Sequence, residues 1–262
     1  MKIKISTLTT TYCSSGLMGK PKIGRKSVSF QNLNDETEVP KGKGEVNQSE
    51  SNNSNKNEDT RKLIPSIKSP ILAIPFHNIL ILWGMFYYGL TENPAAVMTK
   101  GLYTLFPIQL MYNITLYGNI SKPKKESINV PLLVGGSLVI SGVFAVPLFA
   151  ILVLFGAPLA SHLYETFILA IHLSVLFFNP LLILFKFDIN TFNNIFKVER
   201  IYRLIFRNLV LASSLLIPVG TWIGVIPIPL DWDRPWQQWP ITLLCGGYIG
   251  SVVGGLLSLV CC

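Results

Sequence analysis

The sequence predicts an all-α membrane protein, a bundle of about six transmembrane helices preceded by a disordered N-terminal tail. Of the 262 residues, 50% are hydrophobic and only 14% are charged, and the mean hydropathy is +0.45. Six stretches are apolar over roughly 20 residues, the length that a helix needs to cross the hydrocarbon core. The first 70 residues lack this apolar content and cannot offset the entropy of ordering. We therefore divide the chain into a polar tail, residues 1–70, and a transmembrane domain, residues 71–262.

The six predicted spans follow one another along the second part of the chain, and the second span is the weakest. They run from Ile71 to Leu90, Gly101 to Tyr117, Pro131 to Phe155, Leu159 to Phe185, Leu209 to Ile228 and Trp239 to Val260. Gly156-Ala157-Pro158 separates the third span from the fourth, because glycine permits a tight turn and proline stops a helix. The pattern thus predicts a helical hairpin at this point.

The basic residues predict the orientation of the bundle. Twelve of the 22 Lys and Arg residues precede the first span, three lie between the second and third, and five lie between the fourth and fifth. Only Lys100 and Arg234 lie in the alternate connections. Because Lys and Arg favour the cytosolic side, both termini are predicted in the cytosol, and the loop after the fifth span faces the lumen or the exterior. Juxtamembrane charge explains much of the net charge of +8, so no nucleic-acid partner is predicted.

The fourth span carries a polar stripe. Glu165 is the only full charge within a predicted span, about two turns below the hairpin. On a helix, His172 lies almost directly below Glu165, and His162 lies one turn above it. The stripe could bind a lipid headgroup, relay protons or pair with a basic residue of another subunit. A structural role, such as an interhelical hydrogen bond, is the simpler interpretation, and His77 with Asn78 receives the same one.

The loop from Pro227 to Pro240 is the most distinctive part of the sequence. Its 14 residues include four prolines, three tryptophans, two acids and one arginine. Proline resists helix continuation, and tryptophan suits the headgroup layer of a membrane, so the loop is predicted to be a fixed turn at the membrane surface. The candidates in it for contact with a partner or a lipid are Asp231, Trp232, Asp233, Arg234, Trp236 and Trp239.

No constellation in the sequence predicts catalysis. Asp231-Trp-Asp233 has the Asp-x-Asp form that binds divalent metals in glycosyltransferases, but two aspartates neutralised by Arg234 are the favoured interpretation. The three histidines form no cluster of metal-ligand spacing, and the chain has neither an activated nucleophile nor a phosphate-cradling glycine loop. We therefore predict no catalytic residue, no metal and no cofactor.

The last span carries a face of small residues. Gly246, Gly250, Gly254 and Ser258 recur at a spacing of four, which places them on one side of a helix. Small residues let two helices approach closely and gain van der Waals contact, which drives helix association in lipid. The face is therefore predicted to pack against another helix, either of this chain or of a partner.

Four segments together resemble the PIG-F family of glycosylphosphatidylinositol (GPI) anchor biosynthesis proteins. They are Gly156-Ala-Pro-Leu159, Glu165-Thr-Phe167, the run from Pro227 to Gln237, and Trp239-Pro-Ile241. The resemblance covers the chain from about Ile71 to the end and does not extend to the tail.

The resemblance implies a multi-pass protein of the endoplasmic reticulum (ER) that is needed to add ethanolamine phosphate to the GPI precursor. It implies a non-catalytic subunit that binds and stabilises a large ethanolamine phosphate transferase, which itself holds the zinc and the nucleophile. Its expected partners are the transferase and ER membrane lipids, with the GPI precursor glycolipid as a further candidate.

Two other functions stay open at this point. In the first, Glu165, His162, Asp231, Asp233 and Arg234 contribute to a composite lumenal site shared with the transferase. In the second, the chain is a lipid carrier or flippase that uses Glu165 and His172 as a polar track. One acid across six spans makes that track sparse.

Overall fold

The structure is a computed structural model that describes residues 65–120, 129–158, 161–188, 206–230 and 234–261. Within these residues it holds six α-helices, two 3-10 turns and no strand, as the fold class predicts. The helices are α1 (His77–Tyr87), α2 (Pro94–Asn119), α3 (Val130–Leu154), α4 (Leu163–Phe185), α5 (Leu209–Ile223) and α6 (Ile241–Cys261). The predicted tail up to residue 64 lies outside the described residues.

Three of the described helices are long and apolar enough to cross a membrane. These are α3, α4 and the Ile241–Val260 part of α6. Helix α5 is apolar but has 15 residues, a rise of about 22 Å at 1.5 Å per residue. The apolar helices therefore identify the chain as a membrane protein. A helix lies at each of the six predicted positions. The number of helices that cross stays a prediction.

The first predicted span is wrong in its extent. Between Ile71 and Leu90 the chain forms a 3-10 turn at Ile71–Ala73 and then, after Pro75, the 11-residue helix α1. Ile74 is extended, with φ −75° and ψ 128°, because the ring of a following proline disfavours the α conformation. Proline thus splits the stretch that hydropathy alone joins.

Helix α2 is longer than the predicted second span. It begins at Pro94, seven residues before Gly101, and ends at Asn119. The side chain of Asn93 accepts a hydrogen bond from the backbone N–H of Ala96 at 3.2 Å. Asparagine at the N-cap and proline at the first helical position are the residues that favour a helix start. The predicted span starts only after Lys100, so it leaves out the first seven residues of this helix.

The hairpin between α3 and α4 lies where the sequence predicts it. Helix α3 ends at Leu154, and Gly156 has a φ of +99°, a conformation that glycine adopts without steric cost. Helix α4 begins at Leu163 rather than at the predicted Leu159. This shift of one turn moves Glu165 into the first turn of α4.

The segment just before the predicted boundary at residue 70 is hydrogen-bonded to two helices. The backbone N–H groups of Lys68 and Ser69 donate to the carbonyl oxygen and the side-chain oxygen of Asn119, at 2.9 and 2.8 Å. The side chain of Asn208 donates to the carbonyl of Pro65 at 3.3 Å. Residues 65–69 are therefore attached to the end of α2 and the start of α5, and the division of the chain at residue 70 stays a prediction.

Helix α4 lies at the centre of the described bundle. Its most apolar window is 72% buried within the protein, against 22% for that of α3. It contacts α2, α3, α5 and α6, and the most extensive helix contacts in the described bundle are those of α5 with α6 and of α3 with α4. A residue on α4 can therefore contact side chains of several other helices.

Candidate functional site

The loop after α5 is closed by the side chain of Gln237, which is buried in the short 3-10 turn Pro235–Gln237. Its amide nitrogen donates to the carbonyls of Pro227 and Leu230, at 2.8 and 3.1 Å. Its amide oxygen accepts from the backbone N–H of Arg234 at 2.8 Å. One side chain thus joins the outgoing and returning arms of the loop, and a buried amide with three partners holds a fixed turn.

Trp239 attaches this loop to α4. Its indole N–H donates to the hydroxyl of Thr166 at 3.0 Å, and that hydroxyl donates to the carbonyl of His162 at 2.7 Å. The ring of Trp239 also packs against the apolar core, and the Trp239–Pro240 peptide bond is cis. The loop therefore ends against the first turn of α4.

Glu165 and His162 lie together in that same turn. The Nδ1 atom of His162 is 3.7 Å from Oε1 of Glu165, and the side chains are 43% and 19% exposed. A carboxylate in the first turn of a helix is stabilised by the partial positive charge of the unpaired N–H groups. Glu165 is thus at a helix end rather than two turns inside a span, because α4 starts at Leu163.

His172 belongs to a different part of the protein and is completely buried. Its two ring nitrogens lie 2.7 Å from the hydroxyl of Tyr248 and 3.0 Å from the carbonyl of Met98. A carbonyl only accepts, so Nε2 of a neutral ring donates to Met98 and Nδ1 accepts from Tyr248. His172 therefore joins α4 to α2 and α6, and its partners do not include Glu165 or His162.

The acidic part of the loop, Asp231 to Asp233, lies outside the described residues, and Trp232 lies there with it. Arg234 and Trp236 are exposed. Across the described ranges, no group of three or more His, Cys, Asp and Glu residues comes close enough to hold a metal ion. The described part of the site is therefore an aromatic and basic turn beside one carboxylate.

The small residues of α6 pack against α5 of the same chain. A Cβ atom at Gly246 would overlap the carbonyl of Gly220, and one at Gly250 would overlap that of Leu216. Gly254 lies equally close to the carbonyl of Ala212. The hydroxyl of Ser258 donates to the carbonyl of Phe206 at 2.8 Å, just before α5. The sequence alone did not decide whether this face packs against a helix of the same chain or of a partner. In the structure, it packs against α5 of the same chain.

An open groove of about 390 Å³ runs along the outside of the α5–α6 pair. Its lining is almost entirely apolar and includes Phe86, Val219, Ile249 and Val253, and the loop residues Pro227 and Trp236 belong to it. The groove and the loop therefore form one continuous surface.

Sequence reasoning missed three residues that position the site. Gln237, Thr166 and Tyr248 hold the loop, the first turn of α4 and His172 by side-chain hydrogen bonds. Thr166 and Gln237 lie inside segments that carry the family resemblance, and Tyr248 lies in the last predicted span. A buried polar side chain needs a partner, but the sequence does not identify that partner for any of the three.

The sequence is similar to proteins of GPI-anchor biosynthesis. The family model described as "GPI biosynthesis protein family Pig-F" matches residues 73–259. Glycosylphosphatidylinositol anchor biosynthesis protein 11 of Debaryomyces hansenii is 48% identical over 242 residues, covering 90% of this chain and 96% of the relative. The protein of that name from Candida albicans is 49% identical over 218 residues, with coverages of 75% and 82%. The Saccharomyces cerevisiae protein is 34% identical over 193 residues, with coverages of 71% and 77%. No solved structure gives a significant match.

Proposed function

Since the chain belongs to the PIG-F family of GPI biosynthesis proteins, we propose that it is a non-catalytic membrane subunit that binds and stabilises an ethanolamine phosphate transferase. A role in GPI-anchor biosynthesis agrees with the names of its relatives. The finer role follows from the resemblance that the loop carries and from the physical character of the described site.

The observation that carries the proposal is the fixed turn between α5 and α6. Gln237 closes the loop and Trp239 attaches it to α4, so the described residues on both sides of 231–233 are held in place by this chain alone. A pre-formed surface loses little conformational entropy when it binds. The same turn exposes Arg234 and Trp236, and Arg and Trp are residue types that dominate binding energy at protein interfaces. This combination favours a binding role.

We place the partner contact on the continuous surface made by the loop and the groove beneath it. The groove is apolar, and Gly220, Gly224 and Gly246 are among the residues that line it where α5 and α6 meet. A partner helix approaches closely where side chains are small. We propose that a transmembrane helix of the transferase occupies this surface, with the lumenal domain of the transferase above Trp236.

The proposed location is the ER membrane, with six spans and both termini in the cytosol. The distribution of Lys and Arg supports this orientation, and it puts the loop on the lumenal side. A tag accessible to protease from the cytosol at residues 227–240 would contradict it.

The experiment is purification of the full chain in a gentle detergent, with identification of the proteins that co-elute. We expect a large ethanolamine phosphate transferase, and depletion of the chain should leave GPI precursors short of ethanolamine phosphate. Trp236→Ala should lower the recovered transferase at least tenfold, whereas Trp83→Ala, a 69% exposed tryptophan on α1, should not. Recovery of the chain as a partner-free monomer, or normally decorated precursors after depletion, would contradict the proposal.

A second function is favoured by one contact. The bond from Trp239 to Thr166 brings the loop beside Glu165 and His162, so polar groups of α4 and the loop share one region, as a composite lumenal site requires. Glu165→Gln separates the two functions. Transfer that stops while the transferase remains bound supports the composite site, and loss of the transferase supports the binding role.

A further inference from the structure

A small cavity with several polar side chains in its lining lies inside the bundle, away from the loop. It offers about 10 Å³ of room for a water-sized sphere, and it is lined by residues of α1, α2, α4, α5 and α6. A cavity needs roughly 10–15 Å³ of such room to hold one water molecule. The space therefore fits a single water and nothing larger.

Three polar side chains in this cavity have no hydrogen-bond partner among the described residues. Asn78, Ser213 and Ser214 are each at least 96% buried. The side-chain oxygen of Asn78 and both serine hydroxyls make no hydrogen bond, and all three residues line the cavity. Buried polar atoms in proteins are nearly always paired, either with protein groups or with ordered water.

The orientation of the Asn78 amide follows from its neighbour. The hydroxyl of Ser251 donates to the carbonyl of Tyr248 at 2.6 Å, so it can only accept from Asn78. The Asn78 nitrogen therefore faces Ser251, at 2.8 Å, and the amide oxygen is the atom left without a donor.

Two prolines add further acceptors to the same region. Pro180 has no N–H to give to the carbonyl of Leu176, and Pro218 has none to give to the carbonyl of Ser214. Leu176, Pro180 and Ser214 all line the cavity. Two helices thus each lose one backbone hydrogen bond next to the same three unpartnered side chains.

We propose that this cavity is a binding site for one ordered water molecule that joins α1 to α5. A water molecule can donate to the amide oxygen of Asn78, and it can donate to or accept from the two serine hydroxyls. The lining contains no carboxylate, and a cation held there without a counter-charge is costly inside a membrane. The site is independent of the partner-binding role proposed above.

Alanine substitutions test the site by the sign of their effect. If a water accepts from Ser214, Ser214→Ala removes one of its bonds, and the thermal midpoint of the full chain in detergent falls by roughly 2–4 °C. If no water is bound, the same change deletes an unsatisfied buried hydroxyl, and the midpoint rises. Ser213→Ala gives a second reading of the same kind. Ser141→Ala is the control. The buried Ser141 hydroxyl is already paired within its helix, at 2.7 Å from the Ser137 carbonyl, so this variant shows the change in midpoint when a paired buried hydroxyl is removed.

A density map of the full chain in lipid nanodiscs tests the site without any substitution. We expect a water peak within hydrogen-bond distance of the Asn78 amide oxygen. An unchanged or raised midpoint in both serine variants, or no peak in a map that resolves other buried waters, would overturn the proposal.

Discussion

The indole N–H of Trp239 donates to the hydroxyl of Thr166 at 3.0 Å, and this bond joins the loop after α5 to the first turn of α4. The two residues are 73 positions apart along the chain. The bond explains how a short turn between two apolar helices keeps a definite position beside Glu165.

Trp239→Phe tests the bond, because phenylalanine keeps a large ring and removes the donor. We expect a loss of about 1 kcal/mol in the free energy of unfolding, the usual value of one such hydrogen bond. Thr166→Val should cost a similar amount, and the double variant should cost less than the sum. Thermal unfolding of all three in detergent measures the coupling, and strictly additive costs would show that the two groups do not interact.

The amide of Gln237 is expected to stabilise the loop more than any other side chain in it. Gln237→Leu leaves the carbonyls of Pro227 and Leu230 and the N–H of Arg234 without their partner. We expect a cost of about 2 kcal/mol and faster proteolysis between the arms of the loop. The control is Gln238→Leu, since Gln238 is exposed. Equal protease resistance of the two variants would contradict the assignment.

Close packing between α5 and α6 predicts that Gly250→Ala is severely destabilising. The added Cβ would overlap the backbone carbonyl of Leu216, and a backbone atom cannot move aside without separating the helices. We expect the variant to fail to accumulate, as measured by immunoblot of membranes. Gly142→Ala is the matched control, because its Cβ would meet nothing within 4 Å, and alanine favours a helix interior by about 1 kcal/mol. Normal levels of the Gly250 variant would refute the contact.

Tyr248→Phe is expected to destabilise the junction of α4 and α6. The change deletes the hydroxyl that pairs with Nδ1 of the buried His172, and an unsatisfied buried nitrogen costs about 1–3 kcal/mol. Thermal unfolding in detergent measures it. His162→Ala serves as a comparison, since that side chain is 43% exposed and should change stability little. The opposite order of the two effects would contradict a structural role for His172.

The helix positions follow from the sequence where apolar content and turn residues agree. Gly156 and Pro158 mark the hairpin after α3, and the hydrophobic run predicts α4 to within one turn. The first span fails because hydropathy does not register the break at Pro75. The length of helix α2 is underestimated because hydropathy takes no account of the helix cap at Asn93.

The site was predictable in its residue types but not in its connections. The loop is evident from its prolines and tryptophans, whereas its closure by Gln237 depends on three backbone groups that converge only after folding. His172 and Glu165 share a helical face by spacing, yet one is buried between helices and the other lies at a helix end. Periodicity gives the direction of a side chain and does not give its depth.

The unequal lengths of α3 and α5 have a consequence for the surrounding lipid. Helix α3 has 25 residues and α5 has 15, so their rises are about 37 Å and 22 Å. Where both cross the bilayer, hydrophobic mismatch thins the membrane on one flank of the bundle and thickens it or tilts the helix on the other. Under that condition the lipid beside α5 is expected to be thinner than the lipid beside α3.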